Sequence, residues 1–286
     1  MAERFPKSDS QKSILPTSAD ELKPVSQPDL LSKFIQAKAT HPDFMTDNLV
    51  TTMAVSMAFA GSETTAISLS SVFYYLLKNP HCMANLLSEI DTKAKEGYFK
   101  DNETGLVTWQ ESQNLPYLDA VIKEAFRLHP APGLILERVV PASGATIAGR
   151  FVPGGTIVGC SAWVVHRRKE IFGEDVEVFR PERWLLGEEQ DEEIELGKED
   201  KEKEEKRIKE MTGTMLQFGM GARTCIGKNI SLLEIYKLVP SFLRRFEVSS
   251  PLFLFIFPSL VSGLGNMDGE RSEWRDGNGL MANRFD

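Results

Sequence analysis

The segment 46–79, TDNLVTTMAVSMAFAGSETTAISLSSVFYYLLKN, constrains the fold more than any other part of the chain. Thr46 or Asp47 can cap its start, and Asn79 followed by Pro80 can end it, so the sequence predicts one long helix. At 1.5 Å per residue this helix would extend roughly 50 Å, enough to cross a whole domain. Apolar side chains fall on nearly every face, so we expect the helix to be buried along its length.

Further helices are predicted on both sides of the long one, because apolar residues recur there at helical spacing. The predicted segments are 29–39, 81–96 and 117–128. The segment WQESQNLP, residues 109–116, is expected to be a loop. A last helix is predicted to begin at or just after Cys225 and to reach about Arg245.

The period of the pattern changes after residue 133. In ATIAGRFVPGGTIVGCSAWVVH, residues 145–166, the run Pro153-Gly154-Gly155 separates two β-rich stretches and predicts a hairpin or strand pair. Long helices with one small local sheet indicate a mainly α fold with a minor β-sheet.

Composition excludes some classes of protein. The 286 residues carry a formal net charge of -8, which argues against nucleic acid as the main partner. The three cysteines are an odd number without framework spacing, so we expect a reducing, intracellular compartment. The N-terminus has no apolar run typical of a signal peptide or membrane anchor.

Three segments fall outside the predicted helices. Residues 1–28 are polar and rich in Ser, Lys and Pro, and we expect a mobile lead-in. Residues 187–210 are a mixed-charge stretch, which favours a solvated loop or frayed helix without chemistry. The apolar segment 251–261 is too short to span a bilayer, so a buried strand or an exposed tail is expected.

Cys225 lies in FGMGARTCIGKN, between glycines and a helical pattern. A cysteine that binds a metal must be a thiolate, which positive potential or hydrogen-bond donors stabilise. At the start of a helix the sulfur would face unpaired backbone N–H groups and the positive end of the helix dipole. Gly219 and Gly221 allow a tight turn close to a flat object, and Gly227 removes a colliding side chain.

Two alternatives compete at this stretch. An isolated cysteine beside an apolar helix is usually an inert buried thiol. The stretch also approaches a phosphate-binding loop, G-x-x-x-x-G-K-[ST], but Ala222 replaces its first glycine and Asn229 its Ser or Thr. No strand clearly precedes it either, so we reject nucleotide binding.

The stretch FGMGARTCIG resembles the haem-binding loop of cytochromes P450, F-x-x-G-x-R-x-C-x-G, at every fixed position. The resemblance implies that Cys225 is the thiolate ligand of haem iron, with iron protoporphyrin IX as cofactor. It further implies that Phe218 packs near the thiolate and that Arg223 pairs with a haem propionate. Gly221 and Gly227 would then make room for the porphyrin.

Two further segments resemble the family's structural motifs. KEAFRLHP matches the E-x-x-R helix at Glu124 and Arg127, and FRPERW supplies Arg183. On the residues alone, Arg127 lies nearly opposite the apolar stripe of its helix, which favours a solvated face. The resemblance instead implies a buried triad that fixes the haem loop and does not touch substrate.

AGSETT in the long helix resembles the family's [AG]-G-x-[DE]-T-[TS], at Ala60, Gly61, Glu63, Thr64 and Thr65. The resemblance implies that Ala60 and Gly61 pass close over the cofactor and that a groove for O₂ and water opens beside Thr64. Glu63 would then relay protons. A Ser/Thr-rich helix interior with one exposed acid is the plainer alternative.

Other residues are placed less directly by the resemblance. Arg138 lies where the family often has a second propionate-binding arginine in an early strand. His166 lies where many members carry a donor near a propionate, and a hydrogen-bonded structural histidine is an equal alternative. We expect His129 to be structural.

The motifs occur in the family's order and together cover residues 46 to about 248. The resemblance therefore implies the C-terminal half of the cytochrome P450 fold within residues 29–248, most like filamentous-fungal P450s of the pisatin-demethylase type. The implied function is hydroxylation or O-demethylation of a small organic substrate by a haem-thiolate monooxygenase. It would use O₂ and electrons from an NADPH-cytochrome P450 reductase.

The chain also departs from the family. A complete P450 is nearly twice as long, so we expect the membrane anchor and early helices to be missing, and residues 249–286 do not resemble the family. Full-length members are expected on the cytosolic face of the endoplasmic reticulum membrane. A truncated remnant that binds haem weakly or not at all is the alternative, and a helical scaffold with coincidental motifs is a third reading. Exposed apolar surface would make the isolated chain poorly soluble.

Overall fold

A computed structural model describes residues 29–187 and 198–248 of the chain. Its described residues divide into two compact units, one up to Ser62 and one from Glu63 on. The polar lead-in and the tail predicted at the two ends lie outside the described residues, as does part of the charged stretch. Within the described residues, the mainly α class with a minor β-sheet is confirmed.

The first unit contains helix α1, Leu30–Thr40, and the start of helix α2, Asp47–Lys78. The Asp29 carboxylate caps α1 by accepting the Ser32 N–H at 2.7 Å. The Thr46 hydroxyl accepts the Leu49 N–H at 3.3 Å, which is the cap predicted for the long helix.

Helix α2 is buried mainly in its second half, with Val50 in its first turn as an exception at 2% exposed, so the prediction of burial along its whole length is wrong. Val72 and Leu76 have no exposed surface, whereas Val55 is 49% and Phe59 is 71% exposed. Apolar residues on every face predict burial only where other elements cover every face. In the described part of the chain, that cover is found from about Thr65 onward.

The core of the second unit is built from four helices. The end of α2 packs with α3, Pro80–Lys95, with α5, Pro116–Leu128, and with α9, Lys228–Arg245. The fully buried side chains at its centre include Val72, Leu76, Leu86, Ile90, Leu118, Val121, Ile122, Ile235 and Val239. Pro80 and Pro116 each occupy the first turn of their helix, where the missing N–H costs no hydrogen bond.

The segment predicted as a loop at 109–116 contains a short helix, α4, Trp109–Ser112. Thr108 and Glu111 form a capping box, in which each side chain accepts a hydrogen bond from the other residue's backbone N–H. This local pairing supports a turn of helix too short to give a periodic apolar pattern.

The predicted hairpin across Pro153-Gly154-Gly155 is wrong. The strands are β1, Leu136–Val139; β2, Ala145–Ile147; β3, Arg150–Val152; and β4, Ile157–Cys160. They form two separate antiparallel pairs, β1 with β4 and β2 with β3. The tight turn falls at Ala148 and Gly149, which have positive φ of 49° and 77°, so the Pro-Gly-Gly run joins strands of different pairs.

A series of short elements leads from the strands to the last helix. Helices α6, Ala162–Val165, and α7, Lys169–Phe172, come before a 3-10 turn at Pro181–Trp184, and helix α8, Lys198–Thr214, follows it. The charged stretch is therefore helical from Lys198 on. Met211 of α8 is fully buried beside Phe172 and Trp184, so this helix is packed rather than frayed at that end.

No helix within residues 29–187 and 198–248 combines the length and the apolar character that crossing a membrane requires.

Candidate functional site

The loop from Phe218 to Gly227 is held in shape by its own backbone. Gly219 and Gly221 both have φ of +68°, the left-handed region that glycine adopts without strain. The Cys225 N–H donates to the Phe218 carbonyl at 2.8 Å and closes the loop. The predicted tight turns at these two glycines are therefore present.

Cys225 lies at the surface, one turn before α9. It is exposed, and its carbonyl accepts the Lys228 N–H at 3.3 Å, so the helix starts directly from the loop. Among the described residues, no acceptor is found for the N–H groups of Ile226 and Gly227. Such unpaired N–H groups at a helix start favour a negatively charged group nearby.

The space around the sulfur suits a flat apolar group. A Cβ at Gly221 would meet no atom within 4 Å, and a Cβ at Gly227 would lie 3.8 Å from the Cys225 Sγ. Ile226, the residue directly after Cys225, is 86% exposed. An accessible sulfur, open glycine backbone and an exposed apolar side chain together fit a haem.

Phe218 anchors this loop in the core. Its ring packs edge-on against Phe126 with 5.7 Å between centroids, and the Lys228 Nζ lies 5.9 Å from it. Arg223, at the end of a 3-10 turn, is exposed. The loop therefore has an apolar root and a cationic, solvent-facing side.

Glu124, Arg127 and Arg183 are brought together by the structure in a fully buried cluster. None of the three is more than 1% exposed. The two Glu124 oxygens accept five hydrogen bonds of 2.8 to 3.0 Å. The donors are Arg127 Nε and Nη2, Arg183 Nε, the Trp184 Nε1–H and the Arg180 backbone N–H. The carboxylate is thus fully compensated.

The other donors of the two arginines fasten the segment 166–178 to α5. Arg127 donates to the carbonyls of Val176, at 2.6 Å, and His166, at 3.1 Å. Arg183 donates to the Phe172 carbonyl and, at 3.1 Å, to the Asp175 carboxylate. Partial burial acts to raise the pKa of Asp175, but the hydrogen bond and charge of Arg183 outweigh it and leave that pKa below its usual range.

The helical wheel alone places Arg127 wrongly. It favours a solvated face, but the side chain is 0% exposed, because the segment 166–178 covers the polar side of α5. Such cover comes from residues distant in sequence, which a single-helix pattern cannot show.

His166 is a hydrogen-bonded buried histidine. It is 0% exposed, and its two ring nitrogens bond to the Arg127 carbonyl at 3.1 Å and the Leu216 N–H at 2.7 Å. Burial lowers its pKa to about 4. The half-buried His129 ring lies 6.2 Å from that of Trp163, and burial lowers its pKa as well. Arg138, on β1, is exposed and donates to the Glu137 carbonyl at 2.7 Å.

The AGSETT motif lies within α2. Ala60 and Gly61 belong to the first unit, and Glu63, Thr64 and Thr65 belong to the second. A Cβ at Gly61 would meet nothing within 4 Å. Glu63 and Thr64 are exposed, and the Thr64 carbonyl accepts the Ser68 hydroxyl at 2.9 Å.

Thr65 is the motif residue that contacts α9. Its hydroxyl donates to Ser231 Oγ at 3.2 Å, and Thr65 is only 8% exposed. The contact ties the end of the motif to the first turn of the helix that follows Cys225.

Several contacts of the site were missed by sequence reasoning. Trp184 donates to Glu124 at 2.9 Å, and Arg207 of α8 donates to the Arg183 carbonyl at 2.9 Å. Trp184 directly follows Arg183 in FRPERW, but its position in the motif does not show that its ring N–H reaches Glu124, 60 residues away. Arg207 lies in a charged stretch whose composition gives no such signal.

Comparison with known proteins places the chain in a family. A family model described as Cytochrome P450 matches residues 9–252, and the chain belongs to this family. It is 48% identical over 224 residues to the cytochrome P450 monooxygenase cicH of Emericella nidulans, which covers 78% of this chain and 41% of that protein. It is 45% identical over 189 residues to pisatin demethylase of Fusarium vanettenii, an alignment that covers 66% of this chain and 32% of that protein.

A cytochrome P450 monooxygenase of Aspergillus terreus is 46% identical over 228 residues, 80% of this chain and 42% of that protein. The predicted resemblance to fungal P450s of the pisatin-demethylase type is confirmed. The chain spans about two fifths or less of the length of these curated relatives.

Proposed function

We propose that this chain is the haem-thiolate part of a monooxygenase that hydroxylates or O-demethylates a small organic compound. The observation that carries the proposal is the exposed Cys225 at the start of α9, in a chain of the cytochrome P450 family. The relatives named above as monooxygenases and as pisatin demethylase support the reaction type. Bound haem would supply the oxidant that inserts one oxygen atom of O₂ into the substrate.

The loop residues have separate roles in this proposal. Cys225 would hold the iron of a bound haem through Sγ, and the N–H groups of Ile226 and Gly227 would stabilise the charge on that sulfur. Gly221 and Gly227 keep the approach open. Arg223, exposed on the loop, and Arg138 of β1 would each pair with a propionate of a bound haem.

The triad keeps the loop in place without touching the substrate. Glu124, Arg127 and Arg183 join α5 to the segment that precedes α8, and all three are buried away from solvent. Removing any one would leave buried charge without its partner. Their proposed role is therefore structural.

Protons are proposed to reach the site through α2. Thr64 and Glu63 are exposed neighbours on that helix, so they can exchange protons with water. Ala60 and Gly61 have little or no side chain, which would let a planar group lie close to α2 there. Thr65 holds this end of the motif through Ser231.

Electrons are proposed to come from an NADPH-dependent reductase, at the endoplasmic reticulum membrane where the family is expected. A cavity of about 130 Å³ beside the loop is lined by Lys123 and Lys228 together with Gln217 and Phe218. Lys123 is paired with the Asp119 carboxylate at 2.5 Å, so it is the Lys228 ammonium, next to the loop, that suits an acidic electron donor.

The test is a reduced CO-difference spectrum of the haem-reconstituted chain. We expect the Soret band of a thiolate-ligated haem for the native chain and its loss in Cys225→Ser. Cys160→Ser is the matched control, because Cys160 is also an exposed free cysteine but lies on β4. Equal bands in native chain and Cys225→Ser would refute the proposal.

A second candidate, haem binding without turnover, is favoured by the apolar exposure around the loop. Ile226 is 86%, Ile230 is 62% and Leu233 is 43% exposed, so the described residues leave one side of α9 uncovered. Adding a reductase and measuring NADPH consumption with candidate substrates separates the two. A thiolate-type band without substrate-dependent consumption supports the second candidate.

A further inference from the structure

His166 bonds both the triad, at Arg127, and the residue Leu216 just before the cysteine loop. It lies at the C-terminal cap of α6, and its side chain is completely buried. One ring nitrogen, Nδ1, lies 3.1 Å from the Arg127 carbonyl oxygen of α5. The other, Nε2, lies 2.7 Å from the backbone nitrogen of Leu216.

These two contacts fix the chemical state of the ring. A carbonyl oxygen can only accept, so Nδ1 carries the proton and donates to Arg127. A backbone N–H can only donate, so Nε2 is unprotonated and accepts from Leu216. The imidazole is therefore neutral. With both nitrogens engaged and no exposed surface, it has no free group with which to reach a haem propionate.

The bridge is reinforced from the α5 side. Arg127 Nη1 donates to the His166 carbonyl at 3.1 Å, so the two residues exchange hydrogen bonds in both directions. Arg127 is itself held by Glu124 through two hydrogen bonds of 2.8 and 2.9 Å. The ring is thus attached to a rigid support.

On the other side, Leu216 lies two residues before the cysteine loop, Phe218 to Gly227. Its carbonyl accepts the Gly219 N–H at 2.8 Å, which closes the first turn of the loop. Phe218, within that turn, accepts the Cys225 N–H at 2.8 Å. A shift of Leu216 would therefore displace Gly219, which bonds it, and Phe218, whose carbonyl holds the Cys225 N–H.

We propose that His166 is a positioning residue, whose imidazole sets the position of the cysteine loop relative to the triad helix by bonding Leu216. The consequence for the thiolate rests on the proposed function, whereas the bridge itself does not. The competing explanation is that the imidazole only fills space between α5 and α7, where the Phe172 ring lies 6.4 Å from it.

Two substitutions separate the ends of the bridge. In His166→Gln, the side-chain oxygen occupies about the place of Nε2 and can still accept from Leu216. In His166→Asn, the amide nitrogen occupies about the place of Nδ1 and can donate to Arg127, but nothing reaches Leu216. His129→Asn is the matched control, since His129 is a half-buried histidine at the C-terminal end of α5 whose ring lies 6.2 Å from that of Trp163.

The first measurement is amide hydrogen exchange of the full chain without haem. We expect His166→Asn to speed exchange of the Leu216 amide by roughly tenfold, as the loss of one buried hydrogen bond predicts. His166→Gln should remain close to the native rate, and His129→Asn should not change it. Equal acceleration in Gln and Asn variants, or none in Asn, would overturn the proposal.

The second measurement is the CO-difference spectrum of the same variants after haem reconstitution. A positioning role predicts that His166→Asn loses a larger share of the thiolate-type Soret band than His166→Gln at equal haem content. Equal bands in the two variants would contradict it. If the native chain gives no such band, the proposed function fails, while the exchange measurement still decides whether His166 holds the loop.

Discussion

The triad and the cysteine loop lie on neighbouring elements but differ in how far the protein itself satisfies them. Glu124, Arg127 and Arg183 are at most 1% exposed, and the Glu124 carboxylate accepts five hydrogen bonds. Cys225 and Ile226 of the loop are exposed. The protein itself supplies every hydrogen bond to the Glu124 carboxylate. Within the described residues, by contrast, the N–H groups of Ile226 and Gly227 beside the exposed Cys225 have no acceptor.

This difference separates stability from function within one site. A change in the triad removes partners from buried charges and should lower the free energy of unfolding. A change at an exposed loop residue removes no internal contact and should act on ligand binding.

Cys225→Ser should abolish thiolate ligation while leaving the haem-free fold intact. Serine is similar in size, and the site is exposed, so we expect the free energy of unfolding of the haem-free chain to change by less than about 0.5 kcal/mol. The CO-difference spectrum should lose its thiolate-type band completely. Urea unfolding and the spectrum, measured on one preparation, check both. A large loss of stability would instead mean that Cys225 contributes to the core, as the triad does.

Glu124→Ala should give the opposite result. It leaves Arg127 and Arg183 buried without their carboxylate, and we expect a loss of about 3–5 kcal/mol in the free energy of unfolding. Glu177→Ala is the control, because Glu177 also bonds an arginine at 3.0 Å but is 70% exposed. Exposed ion pairs contribute at most about 1 kcal/mol. Equal urea midpoints for the two variants would contradict the claim that a buried ion pair contributes more to stability here than an exposed one.

Sequence reasoning predicted the long elements and the identity of the motifs well. Four long helices, at 47–78, 80–95, 116–128 and 228–245, lie close to their predicted positions, because caps, prolines and apolar period act locally. A fifth, α8 at 198–214, lies largely in the stretch that was predicted to be a solvated loop or frayed helix. The family was predicted from the loop around Cys225, since its spacing is specific.

The contacts that complete the triad could not be predicted in the same way. Trp184 and His166 bond partners that are 60 and 39 residues distant in the chain. A residue pattern records neither which backbone carbonyl lies opposite a side chain nor which strands pair across a turn. For the same reason the pairing of β1 with β4 was missed, although the strand-forming stretches were recognised.

The pH dependence of stability should show that His166, like the triad, is buried and contributes to the free energy of unfolding. Burial first, and then the facing charges of Arg127 and Arg167, hold its folded-state pKa at about 4, opposed by its backbone hydrogen bonds. Because the unfolded ring has the higher pKa, its contribution is fully present above about pH 6.5 and is lost as the pH falls toward 4.

Between pH 7 and pH 5 this one group should lower the free energy of unfolding by about 2 kcal/mol. His166→Gln has no titrating ring, so its loss over the same interval should be smaller by that amount. His129, whose pKa burial also lowers, contributes in the same direction and remains in both proteins. Parallel curves for native chain and His166→Gln, from urea unfolding at each pH, would rule out the buried neutral ring.

Trp184→Phe is the smallest expected change and the finest test of the triad as a closed network. Phenylalanine keeps an aromatic ring near Phe172 but removes the Nε1–H that donates to Glu124 at 2.9 Å. Four donors remain on the carboxylate, so we expect a loss of only about 1 kcal/mol. In a Glu124→Ala background the same substitution should cost almost nothing, because the acceptor is already gone. Equal costs in both backgrounds would mean that Trp184 acts by packing alone, and that the network ends at the two arginines.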